Sequence, residues 1–198
     1  MAISERKRRQ NRDDILLAAE GVFLSDGYVG ASMDRIARQA GVTKQTVYRY
    51  FPSKEALFQA TLDARREGAD SRFLEALDQD GADPREALTR FAVGFLEMHM
   101  TEAHLAGIRL LVAEGPKAPE MTRAFYAVGP SRTRERLARF LAERLGAEDP
   151  DYAVTMLLST LLSLRMNVLV GLRPIPGREE LLRHAERTVA ACIRGLNG

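Results

Sequence analysis

The chain has few of the residues that form disulfides and metal sites, with one cysteine and three histidines among its 198 residues. A single thiol, Cys192, excludes an intramolecular disulfide and favours a reducing cytoplasm. Cys192 lies among Val189, Ala190 and Ile193 on a helical pattern. We therefore predict a small apolar role for it rather than a redox switch.

The histidines do not form a metal-binding pattern. His99 and His104 flank Thr101 and Glu102, but a predicted helix break separates them and no third ligand is spaced to join them. His184 stands alone on a later amphipathic helix. An ordinary polar role is favoured for all three, and we predict neither a metal nor a cofactor.

Sequence motifs of catalysis are missing as well. The chain has no Gly-rich phosphate loop and no Gly-x-Ser-x-Gly turn. Strand alternation, internal repeats and low-complexity tracts are also absent. These absences argue against an enzyme and predict an all-α chain. The basic N-terminus is not followed by an apolar segment, so we do not predict a signal peptide.

Positive charge is concentrated near the N-terminus. The net charge of +2 divides into +3 for residues 1–60 and −1 for the remainder. A cluster within the first twelve residues consists of Arg6, Lys7, Arg8, Arg9 and Arg12. It is either a solvated charged tail or a flexible arm that reaches DNA phosphates or the minor groove beside a DNA-reading helix.

One segment near the N-terminus has the pattern of two short helices joined by a tight turn. Ser32 and Thr43 are suitable N-caps for the two helices, and Gly41 allows a sharp turn between them. Val47 and Phe51 lie four residues apart on the second helix, so both point inward. This pattern predicts a helix-turn-helix.

The opposite side of the second helix is polar. Gln45 and Arg49 project from it, flanked by Thr46 and Tyr48. The second helix of a helix-turn-helix reads base edges in the major groove with such a face. An ordinary α-hairpin with a polar exposed face is the alternative, and the basic residues on either side favour DNA binding.

The same segment resembles a known family. The residues that carry the resemblance are Gly27-Tyr28, Ile36-Ala37, Ala40-Gly41-Val42, Tyr48-Arg49-Tyr50-Phe51 and Ser53-Lys54-Glu55-Ala56-Leu57. They are similar to the N-terminal domain of the TetR family of transcriptional regulators, and the similarity runs from about Arg9 to Leu62. The resemblance implies a homodimer whose all-helical second domain binds a small ligand and then releases DNA.

The resemblance also implies which side chains meet DNA. Lys54, at the start of the fourth helix, matches the lysine that usually holds a phosphate in the family. Ser32 and Thr43, the two capping residues, are added to the DNA-binding candidates. The recognition helix would supply Lys44, Gln45, Thr46, Tyr48, Arg49 and Tyr50.

A second stretch resembles the C-terminal domain of the AefR-like branch, which contains many regulators of efflux and envelope genes. It consists of Arg109-Leu110-Leu111-Val112-Ala113-Glu114, Pro119-Glu120-Met121, Ala124-Phe125-Tyr126 and Gly129-Pro130. We therefore predict two domains. Residues 9–55 form a three-helix DNA-binding domain with the helix-turn-helix, and residues 56–198 form a helical ligand-binding and dimerisation domain.

Glycine, proline and capping residues predict where the helices begin and end. One long helix is expected from Ser53 to about Asp78, and Gly27 is expected to end the first helix. Further boundaries are predicted at Asp83-Pro84, Thr101, Gly115-Pro116, Gly129-Pro130, Asp149-Pro150 and Gly177.

Aromatic and methionine side chains recur on these helices. Their spacing alone favours an ordinary core, whereas the family resemblance favours a cavity for a small apolar effector, to which methionine adapts well. The candidates for ligand contact are Phe91, Phe95, Met98, Ile108, Met121, Phe125 and Met156.

The segment 153–172 is apolar on nearly every face. Its length suits a membrane span, but Arg165 and Asn167 would be costly at bilayer depth. A helix of this kind in a soluble chain needs two apolar covers. One is its own domain core, and the other is most simply the same helix of a second subunit, with Ser159 and Ser163 allowing close approach. We predict a homodimer and no membrane partner.

These features predict a cytoplasmic transcriptional regulator. The expected form is a homodimeric repressor that binds a palindromic operator in double-stranded DNA and releases it when an apolar small molecule binds. An alternative keeps the DNA-binding domain but makes the protein a nucleoid or division-site factor without small-molecule induction. Binding sites scattered through the genome, rather than one or a few promoters, would distinguish the alternative.

Overall fold

The computed structural model describes the backbone of residues 2–69, 71–79, 81, 83–128 and 130–196. Within these ranges every regular element is a helix, in agreement with the all-α prediction. The α-helices are α1 (Ala2–Gly30), α2 (Met33–Gln39), α3 (Lys44–Tyr50), α4 (Lys54–Ala69), α5 (Ser71–Glu75), α6 (Pro84–His99), α7 (Glu102–Glu114), α8 (Pro119–Val128), α9 (Pro130–Leu145), α10 (Pro150–Leu161), α11 (Arg165–Leu169) and α12 (Arg178–Leu196).

The helices begin where side chains satisfy the first free amides. Ser32 caps α2 and Thr43 caps α3, each accepting a hydrogen bond from the amide three residues further on, at 3.2 and 3.1 Å. Asp83 and Asp149 cap α6 and α10, and each is followed by proline at the start of the helix. These predicted boundaries are confirmed.

The α1 helix departs from expectation at its beginning. The basic residues from Arg6 to Arg12 lie within α1, so the segment predicted as a flexible arm or a charged tail is helical. Arginine, lysine and glutamine are good helix formers, and Gln10 donates a hydrogen bond to Asp14 one turn later, at 2.9 Å. The predicted end of the helix at Gly27 appears as a kink with φ 76°.

The helix predicted from Ser53 to Asp78 is not one uniform α-helix. The structure has α4 to Ala69, α5 from Ser71 to Glu75 and a 3-10 turn over Ala76–Asp78, with residue 70 outside the described part. Phe73 and Leu74 are buried together with Ala76 and Leu77. These pairs are three residues apart, a spacing that a 3-10 turn aligns on one side.

The apolar segment near the C-terminus also changes from α-helix to a 3-10 turn and back. The α10 helix ends at Leu161, a 3-10 turn covers Leu162–Leu164, and α11 follows. By length and composition the stretch Pro150–Leu169 could cross a membrane, with a mean hydropathy of 1.4, and only 28% of it is buried within the chain. Much of its apolar surface is therefore uncovered in a single copy.

The chain divides into two compact units, each with its own core. The head unit consists of Met1–Glu67 and Ala106–Gly129, and the core unit consists of Gly68–Leu105 and Pro130–Gly198. The α4 and α7 helices each continue from one unit into the other. The predicted domains, 9–55 and 56–198, follow chain order and lack this exchange of segments, and that division stays a prediction.

Candidate nucleic-acid interface

The turn between α2 and α3 depends on Gly41. Its φ of 67° lies in the left-handed region that favours glycine. The amide of Gly41 donates to the carbonyl oxygen of Arg38 at 3.3 Å, and the amide of Val42 donates to the carbonyl oxygen of Ala37 at 3.0 Å. These bonds close the C-terminus of α2 and direct the chain into α3.

The inward face of α3 anchors it to the head unit. Val47 is fully buried and Phe51 is 5% exposed, as their spacing predicts. Both belong to a core that includes Ile36 of α2 and Leu57 of α4. Burial of these residues fixes the rotation of α3 about its axis, so the opposite face is presented to solvent.

The outward face carries the predicted reading residues. Gln45 and Arg49 are exposed, and Tyr48 is 44% exposed. Thr46 is half-buried, and its hydroxyl lies 2.8 Å from that of Thr43, so these two threonines also support the start of α3. Amide, guanidinium and phenol groups therefore share one side of the helix, with the donors and acceptors that base edges recognise.

Lys44 and Asp34 join α3 to α2. Their ammonium and carboxylate groups lie 2.8 Å apart, and both side chains are about half exposed. The hydrogen bond to Asp34, and then its charge, raise the pKa of Lys44. Lys44 therefore remains a cation, but one whose charge is partly matched by a neighbour.

Tyr50 links α3 to the beginning of α1. Its hydroxyl donates to the carbonyl oxygen of Arg8 at 3.1 Å, and the Arg49 guanidinium lies over the Tyr50 ring at 5.5 Å. A groove of about 410 Å³ lies here, lined by Lys7, Arg8, Asn11, Arg49 and Tyr50. Three cations around one groove make it suitable for a phosphate.

Lys54, which the family resemblance predicts to hold a DNA phosphate, contacts backbone carbonyl groups in this structure. Its ammonium donates to the carbonyl oxygens of Tyr28 at 2.7 Å, Val29 at 3.2 Å and Ala31 at 3.2 Å. It also lies 4.7 Å from the centre of the Tyr28 ring. All three N–H donors of the ammonium thus have partners within the head unit.

The predicted ligand residues are divided between the two units. Phe91 and Phe95 are buried and stacked in the core unit, with ring centres 5.5 Å apart, where Met98 is partly buried against the same core. Met156 also belongs to the core unit but is 50% exposed. The head unit contains Ile108, Met121 and Phe125, and Met121 is fully buried in its core.

The site includes one residue that sequence reasoning did not single out. Glu114, the last residue of α7, accepts a hydrogen bond from the amide of Val29 at 2.8 Å. A carboxylate at the C-terminus of a helix interacts unfavourably with the helix dipole. This unfavourable position is the sequence feature that could have indicated a partner for Glu114. Its partner, 85 residues earlier, could not be deduced from local patterns.

Two family models match the chain. Residues 15–61 match the model described as "Bacterial regulatory proteins, tetR family", and residues 86–195 match "AefR-like transcriptional repressor, C-terminal domain". The first covers α2 and α3 together with most of α1, and the second extends from α6 into α12.

Relatives with known sequences or structures agree with these matches. The HTH-type transcriptional regulator UidR of Escherichia coli K12 is 30% identical over 185 residues, covering 88% of this chain and 85% of UidR. A TetR-family regulator from Mesorhizobium loti MAFF303099 has a TM-score of 0.78 and 28% identity, covering 95% of this chain and 97% of that one.

The flavonoid-responsive regulator FrrA has a TM-score of 0.73 and 32% identity, covering 93% of this chain and 96% of its own. Both similar structures extend over the two units. The helix-turn-helix geometry, the two family models and these full-length relatives lead to one conclusion: the chain is a DNA-binding transcriptional regulator and belongs to the TetR family.

Proposed function

We propose that this regulator is a ligand-responsive homodimeric repressor that binds a palindromic operator and acts in the cytoplasm. The observation that carries the proposal is the placement of Gln45, Tyr48 and Arg49 on the exposed face of a buried and capped α3. Residues held this way enter a major groove without rearrangement of the helix, which is what sequence-specific reading requires.

The contacts divide into reading and positioning roles. Gln45 and Arg49 contact base edges, with Tyr48 and Thr46 beside them. The groove formed by Lys7, Arg8, Asn11, Arg49 and Tyr50 receives a phosphate, and such a contact positions the protein without reading sequence. Ser32, Thr43 and Lys44 hold the ends of α2 and α3 against the backbone of the DNA.

An exposed stripe on the core unit supports the homodimer. Tyr152, Met156 and Met166 are 62%, 50% and 62% exposed, and Val170 is 60% exposed. Together with Ser159 and Ser163 they recur every three or four residues, the spacing of one helix face. A second copy of the same stripe is the self-complementary cover that two-fold symmetry requires.

A contact between α12 and α10 fixes the helix that carries the stripe. His184 of α12 lies within hydrogen-bond distance of the carbonyl oxygens of Thr160 and Leu161, through its Nε2 at 3.0 and 3.1 Å. This contact joins α12 to the end of α10. The two helices therefore present one surface for the partner copy.

An aromatic effector suits the proposed ligand site. Phe91, Phe95 and Met98 supply flat and adaptable apolar surface in the core unit. The similar regulator FrrA is flavonoid-responsive. We infer that a planar aromatic molecule of that class binds among these side chains of the core unit, with Met156 of the same unit as a further candidate.

Selection of bound genomic DNA fragments tests this function. The purified protein is incubated with fragments, with and without the flavonoid quercetin at about 100 µM, a concentration that saturates a site with a Kd of about 1 µM. We expect one or a few promoter fragments containing a palindrome, released by the flavonoid. Fragments scattered through the genome would contradict a promoter-specific repressor and favour a nucleoid factor, and binding unaffected by quercetin would contradict the proposed effector class.

A further inference from the structure

Beyond the kink at Gly27, the last residues of α1 form one isolated turn of helix that leads to the helix-turn-helix. At Gly27 the backbone has φ 76° and ψ 167°, a combination that residues with a side chain rarely adopt. The amide of Ala31 then bonds to the carbonyl of Gly27 at 3.1 Å. Gly27 therefore occupies the N-cap of a new turn, but it has no side chain with which to cap it.

Glu114 of α7 supplies the missing cap. Its Oε2 accepts a hydrogen bond from the amide of Val29, the second residue of this turn, at 2.8 Å. Its Oε1 lies so close to Gly27 that a Cβ there would be 2.0 Å away. The carboxylate thus fills the space that a capping side chain at position 27 would occupy.

Lys54 holds the other end of the same turn. Its ammonium contacts the carbonyl groups of Tyr28, Val29 and Ala31, so a negative group lies at the N-terminal end of the turn and a positive group at the C-terminal end. This arrangement matches the dipole of the turn. Between them the Tyr28 side chain is 2% exposed and packs on Phe23 and Phe58, with ring centres 5.8 and 5.2 Å away.

The turn leads directly into the reading element. Ser32, the N-cap of α2, follows Ala31, so the path of residues 28–31 sets where α2 begins. The α7 helix, which ends at Glu114, starts in the core unit and finishes in the head unit. The carboxylate that caps the turn is therefore carried by a helix that also belongs to the other unit.

We propose that Glu114 is a positioning residue for DNA reading: its carboxylate caps the turn at residues 28–30 and makes operator affinity depend on where α7 ends. This inference rests on the proposed function of operator binding. Movement of the end of α7 away from Val29 would leave the turn without its cap. The uncapped turn would then have to be ordered when DNA binds, and the free energy of that ordering would weaken the operator complex.

Substitution of Glu114 separates this role from plain electrostatics. Glu114→Ala removes a negative charge from a DNA-binding unit, a change that by itself strengthens attraction to phosphates. The capping role predicts the opposite, a roughly three- to tenfold weaker operator complex, the size expected for loss of one N-cap. Because Glu114 contacts no DNA in this account, the salt dependence of binding should not change.

Two further variants complete the experiment. Glu114→Gln loses the same charge but keeps an oxygen that accepts from Val29, so it should bind the operator more tightly than Glu114→Ala. Asp63→Ala, which removes an exposed carboxylate of α4 in the same unit, should bind as tightly as the unmodified protein or more tightly. All affinities are measured on the selected operator well below the melting temperature of each variant.

Amide exchange at Val29 gives a readout that does not need DNA. Exchange should become several-fold faster in Glu114→Ala and less so in Glu114→Gln. An Ala variant with unmodified affinity and unmodified exchange would overturn the role of Glu114. A lower melting temperature with unmodified affinity would reduce Glu114 to a structural role, whereas an unmodified protein that selects no DNA would contradict the proposed function itself.

Discussion

Lys54 has two potential partners that leave different signatures. The family resemblance implies a DNA phosphate, whereas in this structure its ammonium donates to the carbonyl oxygens of Tyr28, Val29 and Ala31. A phosphate contact contributes to the salt dependence of binding because it releases counterions. A cap within the head unit contributes only through the shape of the reading element.

Lys54→Ala is expected to weaken binding to all DNA sequences alike while leaving the salt slope unchanged. It should also lower the free energy of unfolding by about 1–2 kcal/mol, since three carbonyl groups lose a charged donor. Titrations at several salt concentrations and denaturant unfolding provide the measurements. Arg8→Ala, in the basic groove, is the control and should reduce the slope by about one. The same reduction in Lys54→Ala would identify a phosphate contact instead.

His99 is a half-buried ring that packs against two neighbouring rings. It stacks on Phe95 with ring centres 3.8 Å apart and lies 4.4 Å from the ring of His104. Burial, and then the charges of His104 and Arg165, hold its pKa well below the usual value, although a hydrogen bond to the Phe95 carbonyl favours the charged form. In the folded protein His99 therefore stays neutral on mild acidification.

Acidification should destabilise the fold through His99. The unfolded chain takes up a proton below about pH 6.5 and the folded chain does not. The free energy of unfolding therefore decreases as the pH is lowered, by up to about 1.4 kcal/mol per pH unit. Unfolding by denaturant is measured from about pH 8 to about pH 5. The decrease should be smaller in His99→Gln than in the unmodified protein. Equal slopes in the unmodified protein and His99→Gln would contradict the prediction.

At the scale of elements, capped helix starts were predictable and internal changes of helix type were not. Asp83, Thr101 and Asp149 mark helix starts because a side-chain oxygen and its target amide are two or three residues apart. The 3-10 turns at Ala76–Asp78 and Leu162–Leu164 depend on which neighbours bury those residues. That information lies in the packing of several helices and not in local spacing.

The candidate interface likewise has one part that the sequence predicted and one part that it did not. The outward face of α3 followed from the inward spacing of Val47 and Phe51, and exposure of Gln45 and Arg49 agrees with it. The contact of Tyr50 with Arg8 joins residues 42 positions apart, and no periodicity of either helix encodes it. Contacts between elements were therefore the part that sequence alone did not reveal.

Phe95 tests whether α6 supplies core or ligand contact. It is 4% exposed and lies against Phe73, Phe91 and His99. Phe95→Ala should lower the free energy of unfolding by about 3–5 kcal/mol through the cavity it leaves. Operator affinity well below the melting temperature should be retained. Melting, operator titration and quercetin release on the same variant check this; full stability with loss of release alone would instead mark a pure ligand contact.

The whole molecule presents an apolar stripe that a single copy does not cover. Membrane insertion and a partner subunit are the two ways to cover it, and self-association follows from the proposal that Tyr152, Met156, Met166 and Val170 pack against their own copies. Ser159 lies between Met156 and Ser163 on this stripe and is itself exposed. Its small side chain is suited to close approach of two helices.

Ser159→Arg should convert the dimer into monomers and abolish tight operator binding, because an unpaired charge would be buried at the interface. Sedimentation at micromolar concentration measures the state of assembly. Glu148→Arg, an exposed change outside the stripe, should remain dimeric. An unmodified protein that sediments as a monomer would contradict the assignment of the stripe.

Selection of DNA from a random pool, carried out in parallel with the unmodified protein and Gln45→Ala, tests the central claim that two copies of α3 read a symmetric site. We predict a palindrome whose half-sites are separated by about 10 base pairs or a multiple. Gln45→Ala should relax preference at one position in each half-site, with a loss of about 1–3 kcal/mol there. An asymmetric motif, or a motif that Gln45→Ala leaves unchanged, would contradict the account.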